Sequence, residues 1–572
     1  MPEKSLYIVR KILLWLIAGL AVLLPATVVY MAIISVDHPP VIRDNSFLEN
    51  EVISYGENTS VYGTNWLRKS ESGLWELYLE GKPFDRGVAF GRLTRDLLYY
   101  QETSFVEQIR ELVPSDRYLK ILKYFIAFFN RKLDKHIPEE YIHEIYGTSF
   151  SCSPEYDFIG SGYQRQLNYH AAHDIGHALQ GLNLVGCTSF SVWDGSSADS
   201  SLLVGRNFDF YMGEKFAENK IVCFVNPSDG YKFMMITWPD MIGVVSGMNE
   251  KGLTVTLNAA KSSIPVKAAT PVTILAREIL QYASTIQEAY TISKKRKLFV
   301  SESIMIGSAR DGKTAIIEKS PNTYDLVFPE TDKIICSNHF QGHTFSDDAI
   351  NLSNIKGSDS YLRYRRVNEL LMFNEKLDVK KAVNMLRDQR GFGDTNLGLG
   401  NQLAINQLIA HHAVVFKPES LEVWVSTSPW QLGKFVAYDL KKVFELDVID
   451  ITQNSEIYSG EHTVPADTFL GSSDYYNYLK YKRLSNQLRY FAENMLPLPE
   501  GFADRYALSN RDLFQTYVNL GEYFLKMEDL DKAYENYQRA LTCKLPGLDK
   551  ATELNKVTKK LLKKLKHANT GN

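Results

Sequence analysis

Gly186-Cys187-Thr188-Ser189-Phe190 sets a glycine before a thiol at the start of an apolar run. Glycine reaches backbone conformations closed to other residues, which suits a strained peptide bond. A thiol beside such a bond can attack the carbonyl that precedes it. Hydrolysis of the resulting thioester leaves Cys187 with a free α-amine. That amine has an ordinary pKa of about 7.7–8.0, so it can act as general base for the thiol of its own residue without a histidine. A free thiol titrates near about 8.5, and a nearby cation raises its thiolate fraction.

Gly205-Arg206-Asn207-Phe208-Asp209 supplies a cation and an anion one strand later. If the two strands pair as a hairpin, Arg206 returns beside Cys187 to stabilise a thiolate, and Asp209 can orient the amine. An ordinary Arg–Asp pair at a strand end has the same composition and is worth little. Asn258 and Asn338 each end an apolar strand, where a side-chain amide can donate to an oxyanion. Strand-end asparagines are also common turn formers. Asn249, in Gly247-Met248-Asn249-Glu250-Lys251-Gly252-Leu253, reads as a turn residue.

These residues need a sheet to hold them. From Cys187 onward short apolar runs recur, punctuated by Gly, Asp and Asn: Ser189–Trp193, Leu202–Asn207, Ile221–Val225, Phe233–Trp238, Gly243–Ser246 and Leu253–Leu257. They read as strands buried on at least one face. Pro271–Lys294 reads as one amphipathic helix. Strands follow at Ser303–Ser308, Thr314–Lys319, Thr323–Phe328 and Lys333–Ser337, a helical stretch at Tyr361–Arg390, and strands again at His412–Phe416 and Leu421–Ser426. Strands, helices and strands in that order predict a layered α+β core with helices covering sheet faces. Residues 37–186 read as mostly helical, 187–450 as the catalytic core, and 451–500 as a connecting segment.

The chain has 572 residues, with 45% hydrophobic and 23% charged residues, enough to bury a sizeable core. A net charge of −3 gives no support for a nucleic-acid partner. Five cysteines, an odd and sparse number, argue against a disulfide framework. Residues 12–36 carry no charge and are preceded by Lys4, Arg10 and Lys11. That run predicts a transmembrane signal anchor, single-pass, with the N-terminus cytoplasmic and the catalytic domain on the extracytoplasmic side.

Near the C-terminus (501–567), Tyr517, Leu520, Gly521, Phe524, Ala533, Tyr537 and Ala540 fall at tetratricopeptide-like spacing. One such unit cannot bury its face alone, so it docks on the core, on neighbouring helices or on a protein partner. Leu554, Val557, Leu561 and Leu565 form a stripe on a lysine-rich helix, which suits either a capping helix or an anionic membrane surface. His170, His173 and His177 share one side of a helix, but Asp174 stands where a zinc-protease pattern needs Glu. They, and His411-His412, read as structural, with no metal and no cofactor expected.

Gly-Cys-Thr-Ser-Phe, Gly-Arg-Asn-Phe-Asp and Gly-Met-Asn-Glu-Lys-Gly-Leu together resemble the N-terminal-nucleophile (Ntn) hydrolases. Within them the chain is similar to the acyl-coenzyme A:6-aminopenicillanate acyltransferase branch, related to choloylglycine (bile-salt) hydrolases. The stretch Gly81-Lys-Pro-Phe-Asp-Arg-Gly87 resembles that branch's pro-segment. The resemblance covers roughly residues 80–428. It implies a four-layer αββα sandwich and self-cleavage at Gly186-Cys187. It implies Cys187 as nucleophile with Arg206 and Asp209 beside it, Asn258 in the oxyanion hole, Asn338 as a second catalytic asparagine and Arg363 as the last catalytic arginine, with Arg366 as a competing register. The expected substrate is a small-molecule or lipid linear amide. The alternative is a membrane-anchored interaction protein with an inactive fold.

Overall fold

The structure is a computed structural model, describing residues 15, 25, 38–112, 130, 132–178, 186–261, 268–453 and 456–570. It opens with strands. Ile53–Tyr55, Thr59–Tyr62, Asn65–Lys69 and Trp75–Gly81 (β1 to β4) form an antiparallel meander. The sequence reading placed no strand before Cys187. Short apolar runs such as Leu77-Tyr78-Leu79 do not distinguish a buried strand from a buried helix by period alone.

Among the described residues the α-helices that follow are Pro83–Leu93 (α1), Arg95–Leu112 (α2), Glu139–Ser149 (α3) and Gly162–Ala178 (α4). The backbones of α1 and α3 touch. A Cβ on Gly87 would lie 2.0 Å from the Glu144 carbonyl oxygen, and one on Gly147 would lie 2.4 Å from that of Phe84. Between them Arg86 donates to Glu144 at 2.5 Å, both side chains buried.

After Gly186 come Thr188–Val192 (β5), Leu203–Phe208 (β6), Ile221–Pro227 (β7), Phe233–Thr237 (β8), Ser246–Asn249 (β9) and Leu253–Ala259 (β10). The expected helix over 271–294 is two helices, Val272–Tyr282 (α5) and Ile286–Lys295 (α6), because Thr285 caps the second by accepting from the Glu288 amide. Then come Glu302–Ser308 (β11), Lys313–Lys319 (β12), Tyr324–Val327 (β13) and Lys333–Cys336 (β14), helices Ser360–Phe373 (α7) and Val379–Leu386 (α8), and strands His412–Lys417 (β15), Glu422–Ser426 (β16), Phe435–Asp439 (β17) and Ser459–Val464 (β18).

Among the described residues these strands build two sheets. One runs β1-β2-β3-β4-β7-β8-β9-β10-β11-β12-β13 and the other β14-β5-β6-β15-β16-β17-β18. Alternation along each strand sends side chains to opposite faces. Val222 and Phe224 of β7 meet Val204, Val414 and Phe416 of the second sheet, so the sheets pack face to face. Ile221, Cys223 and Val225 turn instead to α1, α3 and α5. Phe190 and Val192 of β5 face α7 and α8 on the far side. The order helix, sheet, sheet, helix is the expected αββα α+β architecture.

A helical segment completes the chain: Ser473–Glu493 (α9), Phe502–Ser509 (α10), Phe514–Lys526 (α11), Leu530–Thr542 (α12) and Leu548–Thr570 (α13). The tetratricopeptide-like pair is α11 and α12, with Gly521 under the Tyr537 ring. Its apolar face is covered by α9, α10 and α13, together with Leu408 and Leu432 of the core. Leu554 and Leu561 of α13 are buried while the lysines between and beyond them face solvent.

The membrane reading is corrected. No helix among the described residues is long and apolar enough to cross a membrane. The expected span at 12–36 lies outside the described residues except for Trp15 and Pro25. The transmembrane helix, the membrane partner and the single-pass localisation are withdrawn accordingly.

Candidate active site

β5 and β6 pair antiparallel with Ser189 opposite Arg206, which returns Arg206 and Asp209 to Cys187 as the hairpin reading requires. Cys187 is 1% exposed. Its Sγ lies 3.7 Å from Arg206 Nη2 and 3.9 Å from the Asp209 carbonyl oxygen. Burial pushes the thiol up to about 11, with the Arg206 charge opposing that rise.

Arg206 is fully buried and held on several sides. Nη1 donates to the Val245 carbonyl at 2.7 Å and to Ser246 Oγ, while Nη2 also donates to the Leu257 carbonyl. Its guanidinium carbon sits 4.5 Å from the centre of the Phe208 ring. Planar stacking and several fixed donors are what a guanidinium offers and an ammonium does not.

The Asp209 carboxyl is buried, and neither oxygen has a hydrogen-bond partner among the described residues. Burial raises its pKa to about 7, against the pull of Arg363 and Arg206. A buried carboxyl left unpartnered is costly, so such a group marks a candidate functional position.

Asn258 and Asn338 lie close by but face one another's strands. Asn258 accepts from Ser189 Oγ at 2.8 Å and donates to the Cys336 carbonyl at 3.1 Å. Asn338 donates to the Ala259 carbonyl at 2.8 Å and accepts from Arg363 Nη2 at 2.8 Å. Arg363 Nη1 reaches the Cys187 carbonyl at 2.7 Å and Thr188 Oγ1 at 3.0 Å. The competing Arg366 points away, into Asp388, Glu369 and Asp394.

The five other expected site residues therefore lie together about Cys187. Three participants were missed. Gln407 Nε2 donates to the Gly186 carbonyl at 2.8 Å. Ser246 bridges Arg206 to His412, whose Nε2 lies 2.8 Å from Ser246 Oγ. Burial holds His412 neutral, well below the ordinary imidazole range. Gln407 stands in a loop with no local pattern, and His412 begins a strand, so nothing in their own neighbourhoods ties them to Cys187.

His170 has both ring nitrogens engaged. Nδ1 meets the Gln166 carbonyl at 2.7 Å and Nε2 accepts from the Ile242 amide at 3.1 Å. The side chains of His173 and His177 lie outside the description.

Residues 195–424 match the family model described as acyl-coenzyme A:6-aminopenicillanic acid acyl-transferase. That is the family the motifs resemble. The matched stretch holds Arg206, Asp209, Asn258, Asn338 and Arg363 and begins just after Cys187.

Two curated relatives are similar in sequence. An uncharacterized protein of Archaeoglobus fulgidus is 23% identical over 404 residues, covering 63% of this chain and 65% of its own. The protein dcd1B of Dictyostelium discoideum is 21% identical over 274 residues, covering 45% and 52%. The chain thus spans about half to two thirds of the length of these relatives. Among solved structures, a Caenorhabditis elegans N-acylethanolamine-hydrolyzing acid amidase ortholog aligns at 16% identity and TM-score 0.30, over 41% of this chain and 93% of its own. A conjugated bile acid hydrolase of Clostridium perfringens aligns at 15% and 0.31, over 45% and 93%.

Proposed function

We propose that this chain is a self-activating cysteine hydrolase or acyltransferase of linear amides, with Cys187 as nucleophile. The observation that carries the reading is the convergence of Arg206, Asp209 and Arg363 on one buried cysteine that follows a glycine.

In the activating step the Cys187 thiol attacks the Gly186 carbonyl carbon. The C–N bond breaks, the thiol proton passes to the Cys187 nitrogen, and a thioester joins Gly186 to Sγ. Water then hydrolyses the thioester, giving a Gly186 carboxylate and regenerating the thiol. The new amine sits on the residue whose surroundings include the unpartnered Asp209 carboxyl, which can accept its N–H groups.

Turnover repeats the chemistry on a substrate. The amine takes the thiol proton, Sγ attacks the amide carbonyl, and the amine leaving group departs with that proton. The acyl group then passes to water or to a second amine. Asn258 and Asn338 are the donors assigned to the oxyanion, Arg206 stabilises the thiolate, and Arg363 positions Cys187 and Asn338. N-acyl amino acids and lipid amides are the substrate class proposed. An inactive scaffold would gain nothing from an unpartnered buried carboxyl beside a buried thiol.

The test is the intact mass of the purified full chain beside its Cys187→Ala variant. Two fragments, one beginning at Cys187, are expected from the wild type alone, followed by release of amine from N-acyl amino acids or lipid amides. A single uncut chain in both would sink the self-activating reading.

A further inference from the structure

We infer that Gln407 is the oxyanion donor of the self-cleavage step, a task separate from that of the two asparagines. The inference rests on the self-cleavage proposed above. Gln407 Nε2 donates to the Gly186 carbonyl oxygen at 2.8 Å, and that oxygen is the one that gains negative charge when Sγ attacks. Neither asparagine amide faces it: Asn258 donates to Cys336 and Asn338 to Ala259. The continuous chain thus presents one amide to the scissile carbonyl and keeps two others on strand carbonyls.

The geometry is held before reaction. Gln407 is 2% exposed. Its neighbour Leu408 has φ 55°, a left-handed conformation that is costly for a non-glycine residue. Asn406 braces the loop by accepting from the Leu408 amide at 3.0 Å, while the Asn406 amide donates to the Asp388 carbonyl at 2.8 Å. Asn207 of β6 donates to the Ile405 carbonyl at 2.9 Å and ties the loop to the strand beside Cys187. The fit is close at the carbonyl itself, since a Cβ on Gly186 would lie 2.4 Å from Gln407 Nε2. A donor fixed in advance, away from water, is the arrangement that lowers the barrier to a tetrahedral intermediate.

The balance of the step is that given above. The carbonyl π electrons move onto the Gly186 oxygen as the S–C bond forms, and return as the C–N bond breaks. Gln407 keeps its proton throughout and only donates a hydrogen bond. After cleavage the Gly186 carboxylate no longer belongs to the reacting group, so Gln407 has no part in turnover by this account.

The experiment follows conversion of purified full chain by intact mass for wild type, Gln407→Leu and Gln407→Glu, with hydroxylamine added in parallel to capture the thioester. Loss of one oxyanion donor slows such a step by about 100-fold or more. Both spontaneous and hydroxylamine-driven cleavage of Gln407→Leu are expected to fall by that factor. Gln407→Glu carries a charged acceptor at high pH and an O–H donor once protonated. Its rate relative to wild type at the same pH is therefore expected to recover as pH falls, a response that a purely structural role would not produce and that reads out even if the leucine variant misfolds. Wild-type cleavage with an unchanged rate in Gln407→Leu, or a Gln407→Glu ratio that is flat with pH, overturns the role of Gln407 alone. A wild-type chain that stays uncut overturns the self-cleavage proposal and this inference together.

Discussion

Arg363 donates to the carbonyl oxygen of Cys187 at 2.7 Å across 176 residues of chain, and the same guanidinium holds Asn338 and Thr188. One planar side chain thus joins the backbone of the proposed nucleophile to a proposed oxyanion donor. A lysine keeps the charge but not the fork. Arg363→Lys is expected to reduce amide turnover at least about tenfold, by analogy with the loss of one charge-assisted hydrogen bond of about 1.5–3 kcal/mol. Arg366→Lys disturbs the Asp388, Glu369 and Asp394 contacts, away from Cys187, and is expected to leave self-cleavage intact. Intact mass and substrate kinetics on both variants separate the two registers.

Gly186→Ala forces the Gln407 amide off the scissile carbonyl. Only the tip of one side chain must move, so the fold is expected to survive with a loss of about 1–2 kcal/mol, the worth of a hydrogen bond and some strain. Cleavage is expected to slow by about 10-fold or more. Thermal unfolding and intact mass on the same preparation check both halves.

Asp209 makes the uncut chain sensitive to alkali. Its folded pKa, raised to about 7 by burial, lies above the ordinary carboxylate value, so the folded state holds its proton more tightly than the unfolded one. The stability this contributes is complete below about pH 4 and is lost as pH rises through about 7. Arg363 and Arg206 face the group as cations and Asp359 as an anion. Asp209→Asn in a Cys187→Ala background is expected to remove this share of the pH dependence, worth on the order of a few kcal/mol at most. Urea unfolding at pH 5 and pH 8 of the two chains measures it by difference, which cancels the trend from other buried carboxyls such as Glu318.

The two fragments are expected to remain together after the cut. β4 pairs with β7 along seven residues, Trp75 opposite Ile221 through Gly81 opposite Pro227. Glu144 binds Arg86 on its own side and Arg277 on the other, all three buried. Size-exclusion chromatography of cleaved protein is expected to give one peak holding both fragments, with separation only in denaturant. Two separate native peaks would contradict it.

Much of the core was legible after Cys187 because its strands are short apolar runs bounded by Gly, Asp and Asn. The break between α5 and α6 was legible too, since Thr285-Ile-Gln-Glu288 carries the spacing of a capping box, but the continuous apolar stripe masked it. The strand Ser246–Asn249 was expected three residues early, at Gly243–Ser246, because Val244 and Val245 are apolar but precede the strand. The site was legible where family motifs stand in short stretches: Cys187, Arg206, Asp209 and Asn258. The choice of Arg363 over Arg366 needed the helix α7 to be set against β5. Gln407 needed a loop 221 residues away in sequence to close over Gly186.

The place of β4 inside its sheet also orders events at the ribosome. β1 to β4 emerge first, yet the strand that covers the free edge of β4 is made roughly 150 residues later. At about 5–20 residues per second, that edge waits on the order of ten seconds for its neighbour. Until β7 arrives, the nascent chain carries an open parallel-pairing edge with apolar side chains on both faces. The rate of synthesis then bears on how long that edge stays uncovered, before any chemistry at Cys187 is in question.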